Sequence, residues 1–140
     1  MRSAAIVATA RTPIGKAYRG AFNDTPAQAL AAHALSNAID RAGVDGAEIE
    51  DVILGCAMQE GATSMNVARQ AALRAGLPVS VPGLTLDRQC SSGLMAIATA
   101  AKNIIVDGMT VTAGGGVESI SLVQNEHQNR YRATDPWLLE

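Results

Sequence analysis

The chain has 140 residues, of which 48% are hydrophobic, 17% charged and 3% aromatic, and its formal net charge is −2. This length suits one domain with a buried core, and a composition rich in Ala and Gly is typical of tightly packed α/β proteins. Because basic residues do not outnumber acidic ones, nucleic acid is not expected as a partner. No apolar run is long enough to span a membrane, and the amino terminus does not resemble a signal peptide.

The first half of the chain predicts two strands with a helix between them. Residues 3–9 and 51–57 are short apolar runs that predict strands. Thr25 and Pro26 predict the start of the helix, with Thr25 as its N-cap and Gln28 completing a capping box. The helix should end at Gly43. Its predicted buried stripe consists of Ala27, Leu30, Ala31, Ala34, Ala38 and Ala42.

The second half continues the alternation. The pattern predicts helices over 66–75 and 90–107 and strands over 83–86 and 109–113. Strands that alternate with helices indicate an α/β fold with a mostly parallel sheet and helices on both faces. Open sheets of this kind bind ligands at the carboxyl ends of their strands, which is where Cys90 follows the third predicted strand.

Cys90 lies in the segment DRQCSSGL, immediately before the long helix. A helix amino terminus carries unpaired N–H groups and a partial positive charge, which favour the nucleophilic thiolate over the thiol. Ser91, Ser92 and Gly93 add little bulk, so a substrate carbonyl can approach the sulfur. Position alone leaves two interpretations open, because a lone cysteine is also often a small buried hydrophobe.

The other candidate groups are weaker. Cys56 lies in an apolar strand and is expected to be an inert core thiol, and the different contexts of the two cysteines predict no disulfide framework. We therefore expect a reducing, cytoplasmic location. His33 and His127 are expected on the surface, and no cluster of ligands predicts a metal. Acyl transfer by a cysteine needs a base, and neither histidine is a good candidate.

Two glycine-containing segments do not form nucleotide-binding motifs. The Gly15-Lys16 pair lacks the flanking residues of a phosphate-binding loop. The three consecutive glycines at 114–116 do not form a dinucleotide fingerprint, because the last glycine of that spaced motif is missing. We expect this run to let the backbone pass close to the Cys90 loop. Glu118 is either a pocket carboxylate or an N-cap. Arg88 either stabilises a thiolate or belongs to a structural ion pair.

Three segments together resemble the amino-terminal half of a thiolase: RTPIGK at 11–16, RQCSSGLMAI at 88–97 and GGGVES at 114–119. The resemblance covers the chain from about Ala5 to at least Ser121. It implies a three-layer α/β/α half-domain with a five-stranded sheet in the order 3-2-4-5-1, whose fifth strand would follow Glu140. It also implies a division into residues 1–121, a partial amino-terminal domain, and 122–140, the beginning of a loop domain.

The resemblance implies an acyl-CoA C-acyltransferase in which Cys90 becomes acylated by a coenzyme A thioester, with no bound cofactor. In the family the activating His, a second acid/base Cys and most of the CoA-binding region lie in the remaining part of the protein. This chain alone is therefore expected to be inactive and to need that carboxyl-terminal part. The family also implies a homodimer or homotetramer. Asp87 departs from the commonest pattern, since many members have Asn there.

Two other functions stay open at this level. The chain can be a non-catalytic subunit that supports assembly or binds acyl-CoA. It can also belong to another enzyme with the thiolase fold, such as a ketoacyl synthase or a hydroxymethylglutaryl-CoA synthase. The RQCSSG and GGGVES segments fit those two groups less well than they fit thiolases.

Overall fold

The computed structural model describes residues 2–139, and side chains through residue 138. Its strands are β1 (Asp51–Gly55), β2 (Gly83–Leu86) and β3 (Thr112–Gly116). Its helices are α1 (Ala27–Ala42), α2 (Val67–Arg74), α3 (Ser92–Ile105) and the short α4 (Ile120–Val123). Single 3-10 turns occur at Gly46–Glu48, Gly61–Thr63 and Pro136–Leu139. None of the described helices is long and apolar enough to cross a membrane.

The three strands form one parallel sheet in the order β2-β1-β3. The central strand β1 pairs Val52 with Gly83 on one side, and it pairs Gly55 with Gly116 on the other. Parallel neighbours need crossover connections, and α2 and α3 provide them. The predicted α/β class is confirmed, and the observed order corresponds to 3-2-4 in the predicted numbering of the strands.

The alternating side chains of β1 build a core on each face of the sheet. Val52 and Leu54 belong to a cluster with residues of α1 and α2, whereas Ile53 packs with Ala96 and Ala100 of α3. Val52 and Ile53 are fully buried, and each burial of this kind stabilises the fold by roughly 1.5–3 kcal/mol. The helices meet the sheet through small residues, which lets them approach closely. The result is three layers: α1 and α2, the sheet, and α3.

Helix α1 ends where predicted but begins one residue later, and the predicted cap is not formed. It ends at Gly43, whose φ of 68° is left-handed, but its N-cap is Pro26 and no side chain caps it. Gln28 instead donates to the carbonyl of Ala62 (2.9 Å) and to Oε1 of Gln70 (2.8 Å). The capping-box prediction was wrong because these tertiary partners take the amide. The buried positions of α1 are Ala27, Ala31, Ala32 and Leu35, of which only Ala27 and Ala31 belong to the predicted stripe.

The strand predicted at 3–9 is absent. These residues form no strand, and Ile6 and Val7 are 76% and 75% exposed. An isolated apolar segment becomes a strand only when a neighbour supplies backbone partners. In the sheet order that the resemblance implies, the first strand pairs only with the fifth. Within residues 2–139, the outer edge of β3 pairs with no strand.

The last strand lies further along the chain than predicted. It was expected at 109–113 and is found at Thr112–Gly116, so it includes all three glycines. A Cβ on Gly114 would lie 2.9 Å from the Cα of Ile97, which shows how closely α3 packs on this strand. The glycines are therefore part of the sheet because larger side chains would push the helix away. The close approach to the Cys90 loop predicted for this run is found at Gly116, where a Cβ would lie 3.1 Å from the Cα of Gly93.

Candidate active site

Three loops meet at the carboxyl edge of the sheet and line an open cavity of about 560 Å³. The segments that follow β1, β2 and β3 each contribute to its wall, as expected for an open parallel sheet. The lining residues are Gly55, Ala57, Met58, Gln89, Cys90, Ser92, Gly93, Gly116, Val117, Glu118, Ile120 and Gln124.

Cys90 is exposed on this cavity, two residues before the start of α3. The prediction that it lies at the carboxyl edge of the sheet is confirmed, and the buried alternative is wrong. Gln89 beside it has a φ of 50°, a left-handed conformation that is uncommon for a residue with a side chain. Such conformations persist where the surroundings hold them, and they are often found at functional sites. Among the hydrogen bonds of residues 2–139, the N–H of Cys90 donates none.

The turn that carries Cys90 is held by Asp87 and Ser92. Asp87 Oδ1 accepts the backbone N–H of Gln89 (2.6 Å). The hydroxyl of Ser92 accepts the N–H of Arg88 (2.8 Å) and donates to the carbonyl of Gln89 (2.6 Å). Ser92 is buried, so these bonds are shielded from water. The two side chains thus fix the left-handed residue next to the thiol.

The backbones of β1, β3 and α3 come together directly beside this turn. A Cβ on Gly116 would lie 3.1 Å from the carbonyl oxygen of Gly55 and 3.1 Å from the Cα of Gly93. A side chain at Gly116 would press on both neighbours and separate the strand end from the helix. The glycine at position 116 therefore lets the start of α3 lie closely over the sheet edge.

Glu118 is a pocket carboxylate rather than an N-cap. Its Oε2 accepts the backbone N–H of Ala57 (2.8 Å), and its Oε1 accepts the S–H of Cys56 (3.5 Å). The N-cap of α4 is Ser119, and no side chain caps that helix. The carboxylate therefore joins the segment after β3 to the segment after β1.

Cys56 is a buried thiol, as predicted, with 1% of its surface exposed. Burial raises the pKa of this thiol to about 11, and the negative charge of Glu118 adds to the effect. At neutral pH the group is therefore S–H, which is the form that donates to Glu118. It also lies within reach of the carbonyl of Met58 (3.6 Å).

The remaining candidates take no part in the cavity. His33 and His127 are exposed, and His127 pairs only with Glu126 (3.7 Å). Arg88 forms no ion pair with any described residue, so the structural ion pair considered for it is not observed. Among the described residues, no group of three or more His, Cys, Asp or Glu side chains is arranged to hold a metal.

Comparison with known proteins identifies the family. A family model described as "Thiolase, N-terminal domain" matches residues 4–136. The chain belongs to the thiolase family. It is 42% identical over 123 residues to a 3-ketoacyl-CoA thiolase of Bacillus subtilis, covering 88% of this chain and 32% of that protein. It is 48% identical over 112 residues to a beta-ketoadipyl-CoA thiolase of Pseudomonas aeruginosa, covering 79% of this chain and 28% of that protein.

A solved structure agrees with this assignment. The crystal structure of the Bacillus anthracis acetyl-CoA acetyltransferase matches with a TM-score of 0.78 and 39% identity, over 93% of this chain and 34% of that one. The thiolase-family chain described here therefore spans about a third of the length of these relatives. Its half-domain is the incomplete three-layer fold that the sequence predicts.

Sequence reasoning missed three contributors to the site. Gly55 was predicted only as part of a strand, although its place at the end of a buried run offered a signal. Met58 was not singled out, because a methionine after a strand has no distinctive pattern. The left-handed Gln89 was also missed, since its conformation depends on the bonds made by Asp87 and Ser92.

Proposed function

We propose that this chain provides the nucleophile of an acyl-CoA C-acyltransferase that condenses or thiolyses 3-ketoacyl-CoA substrates. The observation that carries the proposal is the exposed Cys90 on a cavity at the carboxyl edge of the sheet, just before α3. The names of the relatives support acyl-CoA chemistry as the class of reaction.

The reaction balances as two transfers. The Cys90 thiolate attacks the carbonyl carbon of an acyl-CoA, the bond from that carbon to the CoA sulfur breaks, and the departing thiolate takes a proton. In condensation, the α-carbon of a second acyl-CoA loses a proton and attacks the acyl carbon on Cys90, which leaves as thiolate. In thiolysis, Cys90 attacks the 3-keto carbon, the bond to the α-carbon breaks, and that carbon is protonated. The thiolate of a free CoA then attacks the acyl carbon on Cys90, which leaves as thiolate. Thiolate chemistry of this kind needs an acid/base partner.

The site needs groups beyond those of this chain. Neither described histidine reaches the cavity, and the resemblance assigns the activating His and a second Cys to the carboxyl-terminal part. The unbonded N–H of Cys90 suits one donor of an oxyanion hole, and we assign the second donor to that same part. A further cavity of about 520 Å³ lies between residues 10–17 and 116–121. We propose that the fifth strand of the family sheet pairs with the open edge of β3, next to this cavity.

The test maps the acylated residue. The chain joined to a carboxyl-terminal thiolase part is incubated with acetyl-CoA, and the adduct is located by mass spectrometry. We expect acetyl on Cys90, loss of turnover by several orders of magnitude in Cys90→Ser, and little change in the matched control Cys56→Ser. Acetyl on Cys56, or normal turnover of Cys90→Ser, would show that the proposal is wrong.

The alternative function, the substrates, the assembly and the location of the protein are also matters of proposal. A non-catalytic subunit would give no adduct on either cysteine in the same experiment. We propose coenzyme A thioesters as substrates without a bound cofactor, a homodimer or homotetramer, and a cytoplasmic location. The division into residues 1–121 and 122–140 stays a prediction.

A further inference from the structure

The wall of the Cys90 cavity opposite α3 is a loop that follows β1. Ala57 and Met58 of this loop line the cavity together with Cys90 and Gly93. Met58 is partly buried, and its sulfur lies 2.7 Å from Nε2 of Gln124. The position of this loop therefore sets the space next to the thiol.

Residues that do not line the cavity also hold this loop, from Met58 to Ala62. Gln28 donates to the carbonyl of Ala62 (2.9 Å), and the buried hydroxyl of Thr63 reaches the carbonyls of Met58 and Glu60. These contacts fix where the chain leaves the cavity toward α2. None of these contacts involves the backbone N–H of Ala57.

Glu118 provides that bond from the segment after β3. One carboxylate oxygen accepts the N–H of Ala57 at 2.8 Å, and the other accepts the S–H of Cys56 at 3.5 Å. Hydrogen bonds to a carboxylate are stronger than those between neutral groups. Cys56 itself is buried at the end of β1, so the carboxylate connects the loop to the core as well as to the segment after β3.

We propose that Glu118 is a positioning residue whose carboxylate holds Ala57 and Met58 against the cavity and so shapes the space for the acyl group on Cys90. The proposal rests on the proposed function, because the acyl group is the occupant of that space. Glu118 acts here through the loop and exchanges no proton with the substrate. Its contribution is to acyl-group binding.

This role predicts a specific ranking of substitutions. Glu118→Gln keeps a side-chain oxygen that can accept the N–H of Ala57, whereas Glu118→Leu removes both acceptors with little change in size. A proton-transferring Glu118 would predict the opposite, since Gln has no titratable group and would be as inactive as Leu. Glu126→Gln is the matched control, because Glu126 is 82% exposed and does not line the cavity.

The first measurement is amide hydrogen exchange of peptides that contain Ala57, which needs no acyl-CoA chemistry. We expect Glu118→Leu to raise exchange there by about tenfold or more, from the loss of a charge-assisted bond, while Glu118→Gln and Glu126→Gln stay within about threefold of wild type. Unchanged exchange in Glu118→Leu would overturn the proposal. If exchange in α2 also rises, Glu118→Ala replaces the Leu variant under the same criteria.

The second measurement is kinetics in the chain joined to its carboxyl-terminal part, with acetoacetyl-CoA as substrate. We expect Glu118→Leu to raise KM by about tenfold with a smaller effect on kcat, and Glu118→Gln to stay close to wild type. Equal losses of kcat in both variants would overturn the positioning role. Absence of any adduct on wild-type Cys90 would instead refute the proposed function, while hydrogen exchange would still test the Glu118 contact.

Discussion

Gly55 and Ser92 are in direct backbone contact, although 36 intervening residues separate them in the sequence. A Cβ on Gly55 would lie 2.1 Å from the carbonyl carbon of Ser92, far closer than two atoms can approach. Gly55 ends β1, and Ser92 begins α3. This contact fixes how near the first turn of α3, and with it Cys90, lies to the edge of the sheet.

Gly55→Ala is expected to be strongly destabilising. The added methyl group meets backbone on α3, which cannot rotate away as a side chain can, so the helix start must move. Overpacking of this kind costs about 1–3 kcal/mol or more in the free energy of unfolding. Gly93→Ala is the matched control, because its nearest neighbours, Gly115 O and Gly116 Cα, are both at an ordinary 3.9 Å. Urea denaturation of both variants checks this, and equal stabilities would contradict the contact.

Asp87→Ala should disturb the turn that carries Cys90, whereas Asp87→Asn should not. Both Asp and Asn offer an oxygen to the N–H of Gln89, which Asp87 accepts at 2.6 Å, and Ala offers none. We expect the Ala variant to lose about 1 kcal/mol of stability and to acylate Cys90 more slowly in the completed protein. Denaturation and adduct formation with acetyl-CoA measure the two effects. Equal behaviour of the Ala and Asn variants would show that the bond has no role.

Alkylation should distinguish the two thiols in the folded protein. Cys56 is 1% exposed and the pKa of its thiol is raised to about 11, so at neutral pH it is protonated and shielded. Cys90 is exposed on the cavity. Iodoacetamide at neutral pH should therefore modify Cys90 at least about tenfold faster, as followed by mass spectrometry of peptides. Comparable rates in folded protein, with denatured protein as the reference, would contradict this assignment.

Ionisation of the Asp51 carboxyl should lower the free energy of unfolding of the wild-type protein as the pH rises above about 4. Burial raises the pKa of its carboxyl, although a hydrogen bond from the N–H of Val52 opposes the shift, and Oδ1 has no partner within the described residues. Because the folded pKa exceeds the unfolded one, ionisation disfavours the folded state. The loss begins near the unfolded pKa and is complete once the pH exceeds the folded pKa.

Asp51→Asn removes this ionisation, so the free energy of unfolding of the variant should not fall over this pH range. Relative to the wild-type protein, the variant should therefore gain stability as the pH rises to neutral. Chemical denaturation at several pH values between about 3 and 7 measures the difference. The control is Asp45→Asn, which changes an exposed carboxylate that caps the turn at Gly46–Glu48. A wild-type curve that stays flat relative to Asp51→Asn would contradict the effect of burial.

The chain without a carboxyl-terminal part is expected to have no measurable thiolase activity. It has the exposed thiol, but neither His33 nor His127 lines the cavity, and the second oxyanion donor proposed above belongs to the carboxyl-terminal part. Loss of the partners of a catalytic nucleophile typically lowers rates by several orders of magnitude. Thiolysis of acetoacetyl-CoA is followed spectroscopically with the purified chain, and activity that survives removal of every other thiolase would contradict the expectation.

Much of the fold and the position of the thiol followed from the sequence. Strand β2 has its predicted bounds and helix α1 its predicted end, because apolar periodicity, Gly43 and short loops act locally. The location of Cys90 at the sheet edge followed from the alternation of strands and helices, since parallel strands place their carboxyl ends together. The three motif segments were enough to indicate the family.

The tertiary structure decided what local signals could not. Residues 3–9 have the composition of a strand but no partner, while the glycines at 114–116 have poor strand propensity but lie in the sheet because α3 must pack on them. Gln28 bonds to residues 34 and 42 positions away rather than capping its own helix. Glu118 had two equal interpretations until the fold brought Ala57 within 2.8 Å of it. Periodicity and capping are properties of neighbouring residues, whereas backbone pairing and side-chain contacts depend on which distant segments the folded chain brings together.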